Sequence, residues 1–359
     1  MILMVIKTKK IKAVLTLLFL SALLAGLKTA VFADDHNGYA GDYITWDFYQ
    51  ETGTLTITGR GEMYNWTSVP PWSDYKDDII SVDISEGITN IADDSFGGCE
   101  NLKTVYIPKT LTKIGKSAFE GCTSLEGVVI PEGLSVIEAY TFRWCTSLEN
   151  VIIPEGVVKI EQGAFLVCES LTKINIPASV VSIGEHAFSS CINLESFKTA
   201  PDSKLTEIDG WAFFGCYNLT GFTVPGGVTS IGKEAFADCT KLASVKFLGD
   251  APVCLGEDIF RDAAEDFILY YHEKTSGWTD PWNGYQTKMI IFIYGDINED
   301  GEVGIDDLVR LSRHIAEIDP IDDPWQLKAA DVTGDGRLTI ADLIKFARYM
   351  AGYYEKIFE

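Results

Sequence analysis

The feature that most constrains this chain is a 23-residue repeat. Phe96, Phe119, Phe142, Phe165, Phe188, Phe213 and Phe236 are spaced 23, 23, 23, 23, 25 and 23 residues apart. Three residues after each stands Cys99, Cys122, Cys145, Cys168, Cys191, Cys216 or Cys239, and three further on a Leu, from Leu102 to Leu242. An apolar-x-apolar pair follows, often closed by Pro, as in Val128-Val129-Ile130-Pro131. A second apolar pair, such as Leu134 and Ile137, leads to the next Phe. One such unit cannot bury its own Phe, Cys, Leu and Ile; stacked units bury them as continuous columns. The alternation turns Val128 and Ile130 inward and Val129 outward. Pro after Ile ends the strand without removing a ladder donor. The unit around Pro201 is two residues longer, and a bulge is expected there.

The Cys column decides between two readings. Eight Cys in an exported chain invite a disulfide framework. Seven of them fall at one site per rung, roughly 5 Å apart with side chains running parallel, which is poor disulfide geometry. Free, buried thiols are the favoured reading and cross-rung disulfides the alternative. Cys-x-x-Cys does not occur, so nothing points to a Cys-His metal site.

Export is read from residues 1–33. Lys7, Lys9, Lys10 and Lys12 precede an apolar run from Ala13 to Gly26, and Val31-Phe32-Ala33 offers small residues for cleavage after Ala33. The run is shorter than the roughly 20 residues a membrane span needs, and no later segment supplies one. A secreted, extracellular chain is expected, with no transmembrane segment after cleavage. Loss of this leader's five Lys takes the formal charge from −23 to −28. Such acidity argues against nucleic acid and anionic membranes as partners.

The outward strand positions read Tyr106, Val129, Ile152, Asn175, Lys198, Thr223 and Lys246, and the positions two residues earlier include Lys173. No acid occurs among them. They form either a binding face, apolar at one end and basic at the other, or strand centres that disfavour Asp and Glu anyway. Tyr106, Val129, Ile152, Asn175, Lys173, Lys198 and Lys246 are its candidate ligand residues, for an unidentified protein or glycan.

Residues 296–307, DINEDGEVGIDD, and 331–342, DVTGDGRLTIAD, lie 35 residues apart. Both have Asp at positions 1, 5 and 12 and Gly at 6. Calcium takes 6–8 hard oxygens, and a twelve-residue loop delivers them from positions 1, 3, 5, 7, 9 and 12. The first site is assigned to Asp296, Asn298, Asp300, Asp307 and the Glu302 carbonyl. The second takes Asp331, Thr333, Asp335, Asp342 and the Arg337 carbonyl, with Thr333 the weakest donor. Each loop runs into an amphipathic helix: Leu308, Leu311, Ile315 and Ile318 share one face after the first, and Leu343, Phe346 and Met350 after the second. Two ions are therefore expected. No helix is expected before the first loop, and Asp instead of Glu stands at position 12, so a standard EF-hand pair does not fit.

These motifs resemble two families. The repeats over residues 80–250 are similar to the BspA-like leucine-rich repeats of bacterial surface proteins. Residues 34–79, with ITWDFYQETGTLTITG and Pro70-Pro71-Trp72, resemble the N-terminal cap of such proteins, and residues 251–293 their C-terminal cap. Residues 294–359, with GDIN-x-DG, Asp307-Leu308, Asp342-Leu343, Arg313-His314-Ile315 and Arg348-Tyr349-Met350, resemble a type I dockerin. The resemblance implies binding to a cohesin domain of a scaffoldin in a cellulosome. It places cohesin contacts at Ile305, Asp306, Ser312, Arg313 and Glu317 in the first half, and at Ile340, Ala341, Ala347, Arg348 and Gly352 in the second. Asp306 against Ala341 breaks the symmetry of the halves, and the Ile340-Ala341 face is favoured because an apolar pair costs less to desolvate.

The expected architecture is a leucine-rich-repeat solenoid of about seven 23-residue units with β-rich caps, followed by a small all-α calcium-binding dockerin. Little chain remains for an enzyme. No motif marks a carboxylate pair or nucleophilic triad, and the four His are scattered. A non-catalytic component working in polysaccharide catabolism is the expected function. An accessory or undetected glycoside hydrolase, or a cell-surface adhesin with a calcium-stabilised terminus, is the alternative. No long Pro/Thr linker precedes Tyr294, so plug and solenoid are expected to move nearly as one body.

Overall fold

The computed structural model describes residues 36–353, 356 and 357; the leader expected over residues 1–33 lies outside them. The repeats wind into a β-solenoid of about nine turns. At its N-terminal end strands Asn37–Gly41, Ile44–Tyr49 and Thr54–Gly59 form an antiparallel meander, as the alternation and the Gly53 turn predict. The third strand then pairs in parallel with Ser81–Ile84, which pairs with Thr104–Tyr106. From there every rung contributes one outward-facing strand. Gly127–Val129 pairs with Asn150–Ile152, and Lys173–Ile176 with Ser196–Thr199. Gly221–Val224, Ser244–Phe247, Ile268–His272 and Thr287–Ile290 form the last parallel block. A second column of two-residue strands runs in parallel from Val136–Ile137 to Cys254–Leu255.

The core is a stack of rings. Trp72, Phe96, Phe119, Phe142, Phe165, Phe188, Phe213, Phe236 and Phe260 follow one another at centroid distances of 5.0–5.6 Å, all stacked. Offset stacking at this spacing suits aromatic quadrupoles and the strand repeat together. A third ladder holds the rings in register: the Phe96 N–H donates to Ala118 O at 2.8 Å, Phe119 to Thr141 and so on to Phe236 and Ile259. The backbone turns through the left-handed region two residues on either side of the ring. Ser117 and Gly121 do so at φ 52° and 74°, and Gly163 and Val167 at 60° and 62°. Val167 is β-branched there, which costs about 1–2 kcal/mol over Gly. Asp258 and Asp262 repeat the pattern around Phe260, so the segment expected as a cap winds as one more rung.

The Cys column consists of seven buried free thiols, while Cys254 is exposed. Each Sγ from Cys122 to Cys239 donates to the Phe carbonyl of the preceding rung at 3.2 Å. The thiol is a second donor to that carbonyl, which also accepts the backbone N–H of the Cys in its own rung, as Phe96 O does from Cys99 at 3.1 Å.

Two sequence expectations need correction. The long unit does not bulge in its strand: Ser196–Thr199 pairs residue for residue with Lys173–Ile176, and the extra residues form a turn at 201–202. Ile318 and Met350 do not share the buried helix faces. The first helix, α1, spans Ile305–Ile315, which leaves Ile318 beyond its end and exposed, and Met350 is exposed at the end of the last.

Beyond the solenoid lie α1, a short α2 (Pro324–Ala330) and α3 (Ile340–Met350). Ile297, Leu311, Ile321, Ala330, Val332, Phe346 and Ile357 form a small core of their own. Leu308, Ile315 and Leu343 pack against it as expected. No described helix is long and apolar enough to cross a membrane.

Candidate functional site

The two loops share one hydrogen-bond scheme. Asp296 accepts from the backbone N–H of Asp300 and Gly301, and Asp331 accepts from Asp335 and Gly336. Asp307 Oδ1 accepts from the N–H of Asn298 at 2.9 Å, and Asp342 Oδ1 from that of Thr333 at 3.1 Å. The other oxygens of Asp307 and Asp342 accept from Gly304 and Thr339, at the threshold of α1 and α3. The same carboxylate thus closes the loop and caps the helix that follows. Asp300 and Asp335 accept from the N–H of Glu302 and Arg337.

These residues fit calcium. Asp296, Asp307 and Asp342 are only 3%, 1% and 0% exposed. Among the described residues no Lys, Arg or His pairs with them or with Asp300, Asp331 or Asp335. Burial pushes the Asp296 carboxyl above its ordinary range, with Asp307 and Asp300 adding like charge. Three carboxylates in one twelve-residue loop without a basic partner are the donor chemistry a hard cation site requires. Asn298, Thr333 and the position-7 residues Glu302 and Arg337 stand in the same loops.

The proposed cohesin contacts lie on solvent-facing sides of α1 and α3. Ile305 and Ile340 are 61% and 62% exposed. Asp306, Arg313, Ala341, Ala347 and Arg348 are exposed too, and Ser312 is half-buried. Val309 beside the first set, and Ile344 and Met350 beside the second, extend each as an apolar patch.

The repeat face is a row of outward strands that pair in parallel within short blocks. Val129 lies beside Ile152, Asn175 beside Lys198 and Thr223 beside Lys246. Tyr106, Val129 and Ile152 are all exposed, and Lys173 and Asn175 project beside them. Asp83 precedes Tyr106 in the register and ends the acid-free strip. At the other end the face is covered by the helical region. Lys246 Nζ lies 2.5 Å from carboxylate oxygens of Glu299 and Asp323. Lys198 pairs with Asp322 at 3.1 Å. Trp325 stacks on His272 at 4.3 Å and donates its Nε1–H to Leu248 O at 3.2 Å. His272, Glu299 and Asp323 bring one ligand-type atom each within 4.8 Å of one another, but the Lys246 ammonium sits among them.

Sequence reading missed this contact. Trp325 carried no motif, and α2 was not foreseen. Asp323-Pro324 was its signal: Asp323 Oδ1 caps the N–H of Trp325 and Gln326 at 2.8 and 3.2 Å, and Pro occupies the first helical position. His272 was read as one of four scattered His.

Comparison with known proteins agrees with this architecture. A family model of the BspA type leucine rich repeat region matches in six copies over residues 73–195 and 159–262. A model of the dockerin type I domain matches residues 294–351. Among solved structures, the chain is similar to a leucine-rich repeat protein from Eubacterium ventriosum ATCC 27560, at 21% identity and TM-score 0.39, over 66% of this chain and 78% of that one. A leucine-rich repeat protein from Bacteroides ovatus ATCC 8483 matches at 22% identity and TM-score 0.39, over 70% of this chain and 76% of that one. A leucine rich cell surface protein from Faecalibacterium prausnitzii A2-165 matches at 20% identity and TM-score 0.35, over 77% and 98%. No curated protein matches. Type I dockerins are calcium-binding modules and imply cohesin binding in a cellulosome-type setting; leucine-rich repeats imply a protein-interaction role. Both are non-catalytic modules, and no catalytic domain is matched. Six repeat copies over more than half of the chain, with the dockerin match after them, make it a member of the BspA-type leucine-rich repeat family that carries a type I dockerin domain.

Proposed function

We propose that the protein is a secreted, non-catalytic cellulosome component working in polysaccharide catabolism. Its dockerin holds two calcium ions and plugs into a cohesin of a scaffoldin, while the repeat face takes a protein or glycan partner. The observation that carries this reading is the duplicated loop. Two acidic loops of one hydrogen-bond scheme, their carboxylates without a basic partner, each launch a helix, and those helices present Ile305 and Ile340 to solvent. Buried carboxylates without counter-charge destabilise a fold unless a cation joins them, so the ion has a structural task and the recognition residues ride on the result. Of the two faces, Ile340, Ala341, Ala347 and Arg348 carry the docking. Asp306 on the other face must lose its hydration to be covered. The repeat-face ligand is assigned to the part that the dockerin leaves open, from Tyr106 through Val129 and Ile152 to Lys173 and Asn175.

Binding of the full chain to cohesins from scaffoldins of the organism that makes it tests the proposal. Calcium-dependent binding, abolished by EDTA and weakened by at least tenfold in Ile340→Asp but less in Ile305→Asp, is the expected result. Far-UV dichroism indifferent to calcium, together with no cohesin bound, would sink it.

A further inference from the structure

The chain carries a second docking surface, and its occupant is the chain's own calcium module. On the solenoid side the surface comprises Lys198, Lys246, the Leu248 carbonyl and the His272 ring, from three strands of one face. On the module side it comprises Glu299, Asp322, Asp323 and Trp325. Three acids meet two ammonium groups around a stacked Trp–His pair, so charge and shape both match.

Glu299 is position 4 of the first loop, between the oxygen donors Asn298 and Asp300. Its backbone stands at φ 62°, a left-handed conformation that penalises any residue with a Cβ. The twin position in the second loop is Gly334, at φ 75°. Loop geometry thus requires a left-handed residue at both places, and only the loop that faces the solenoid carries a side chain there. That side chain reaches Lys246, which is nearly enclosed between Glu299 and Asp323.

We propose that filling of the first calcium loop and seating of the dockerin on the C-terminal end of the repeat face are one linked event, transmitted through Glu299 to Lys246. The inference rests on the calcium reading given above. Convergence of Asn298 and Asp300 on an ion fixes the backbone between them, and with it the direction of the Glu299 carboxylate. Conversely, Lys246 holds that carboxylate in place and so favours the filled loop, because coupling between two equilibria is reciprocal. The second loop, with Gly334 in place of Glu299, has no such lever. The consequence for scaffold assembly is a plug whose orientation on the solenoid is set by calcium.

Calorimetric calcium titration of the full chain, with amide exchange at residues 268–272 and 323–326, tests the linkage. Lys246→Ala lies on the solenoid, so any effect on calcium must cross the contact. It is expected to weaken one of the two sites by roughly fivefold or more and leave the other unchanged; Lys173→Ala, on the uncovered part of the face, changes neither. In the wild type, calcium is expected to protect both segments from exchange. In Glu299→Gly, which copies the twin loop and keeps every ligand, both sites fill but protection of 268–272 no longer depends on calcium. Unchanged affinities in Lys246→Ala, or calcium-dependent protection surviving in Glu299→Gly, would overturn the linkage and leave the calcium module standing. Absence of calcium binding in the wild type would overturn both.

Discussion

Each buried thiol fills one small apolar site and donates to the carbonyl one rung back. Ser would donate a stronger hydrogen bond there but lose apolar contact; Ala would lose the sulfur's packing and the second hydrogen bond, while the carbonyl keeps its backbone donor. Burial drives these thiols upward, Cys191 and Cys239 to about 12. A folded-state value above that of the unfolded chain means the contribution is complete below about pH 8.5 and is lost as pH rises toward 12. Native protein is therefore expected to react with a thiol reagent at Cys254 alone, and at all eight Cys once unfolded. Two or more fast-reacting thiols in the native state, or fewer than eight after denaturation without reductant, would refute the free-thiol column. This column was legible in the sequence because period and chemistry coincide: one Cys per unit fixes its depth, and parallel placement disfavours bridging. The hydrogen bond to Phe O was not legible, since nothing in the spacing shows which carbonyl of the preceding rung a thiol reaches.

At the scale of elements, a rung is stable only through its neighbours. Phe165 stacks on Phe142 at 5.4 Å and on Phe188 at 5.2 Å and is wholly buried. Phe165→Ala should cost about 3–5 kcal/mol, by the cavity it opens between two rings that cannot close on each other. Denaturation should become less cooperative too, because a gap in a one-dimensional stack separates the rungs on either side. A chemical denaturation curve with an unchanged slope and a loss under 1 kcal/mol would contradict the column. Helices α1 and α3 were readable from the loops that run into them and from their apolar faces, apart from the end residues Ile318 and Met350. Helix α2 was not read, since seven residues show too little periodicity and its start lies in a cap dipeptide.

At the scale of the whole molecule, what escaped the sequence is what joins its parts. Lys246 meets Glu299 53 residues on and Asp323 77 residues on, and no periodicity links those positions. Linker length alone supported the expectation that plug and solenoid move together; the contact gives it a physical basis. His272 lies at the centre, 1% exposed, with neither ring nitrogen hydrogen-bonded. Burial first, and the Lys246 charge second, push its imidazole down to about 4, while Asp323 acts in the opposite direction. In the unfolded chain the ring titrates near 6.5. Between these values the unfolded state binds the additional proton, so stability falls as pH drops from about 6.5 toward about 4. The other groups facing the ring are Lys246, Glu299, Asp323 and Trp325. Burial raises the Glu299 carboxyl, which gives a slope of opposite sign in the acid range, so the test must be a difference. His272→Phe keeps the stack on Trp325, sacrifices no hydrogen bond and cannot be protonated. At saturating calcium the variant should gain on the wild type by about 2 kcal/mol between pH 7.5 and pH 5, read from paired denaturation curves. A difference that stays flat over that range would refute the depressed imidazole.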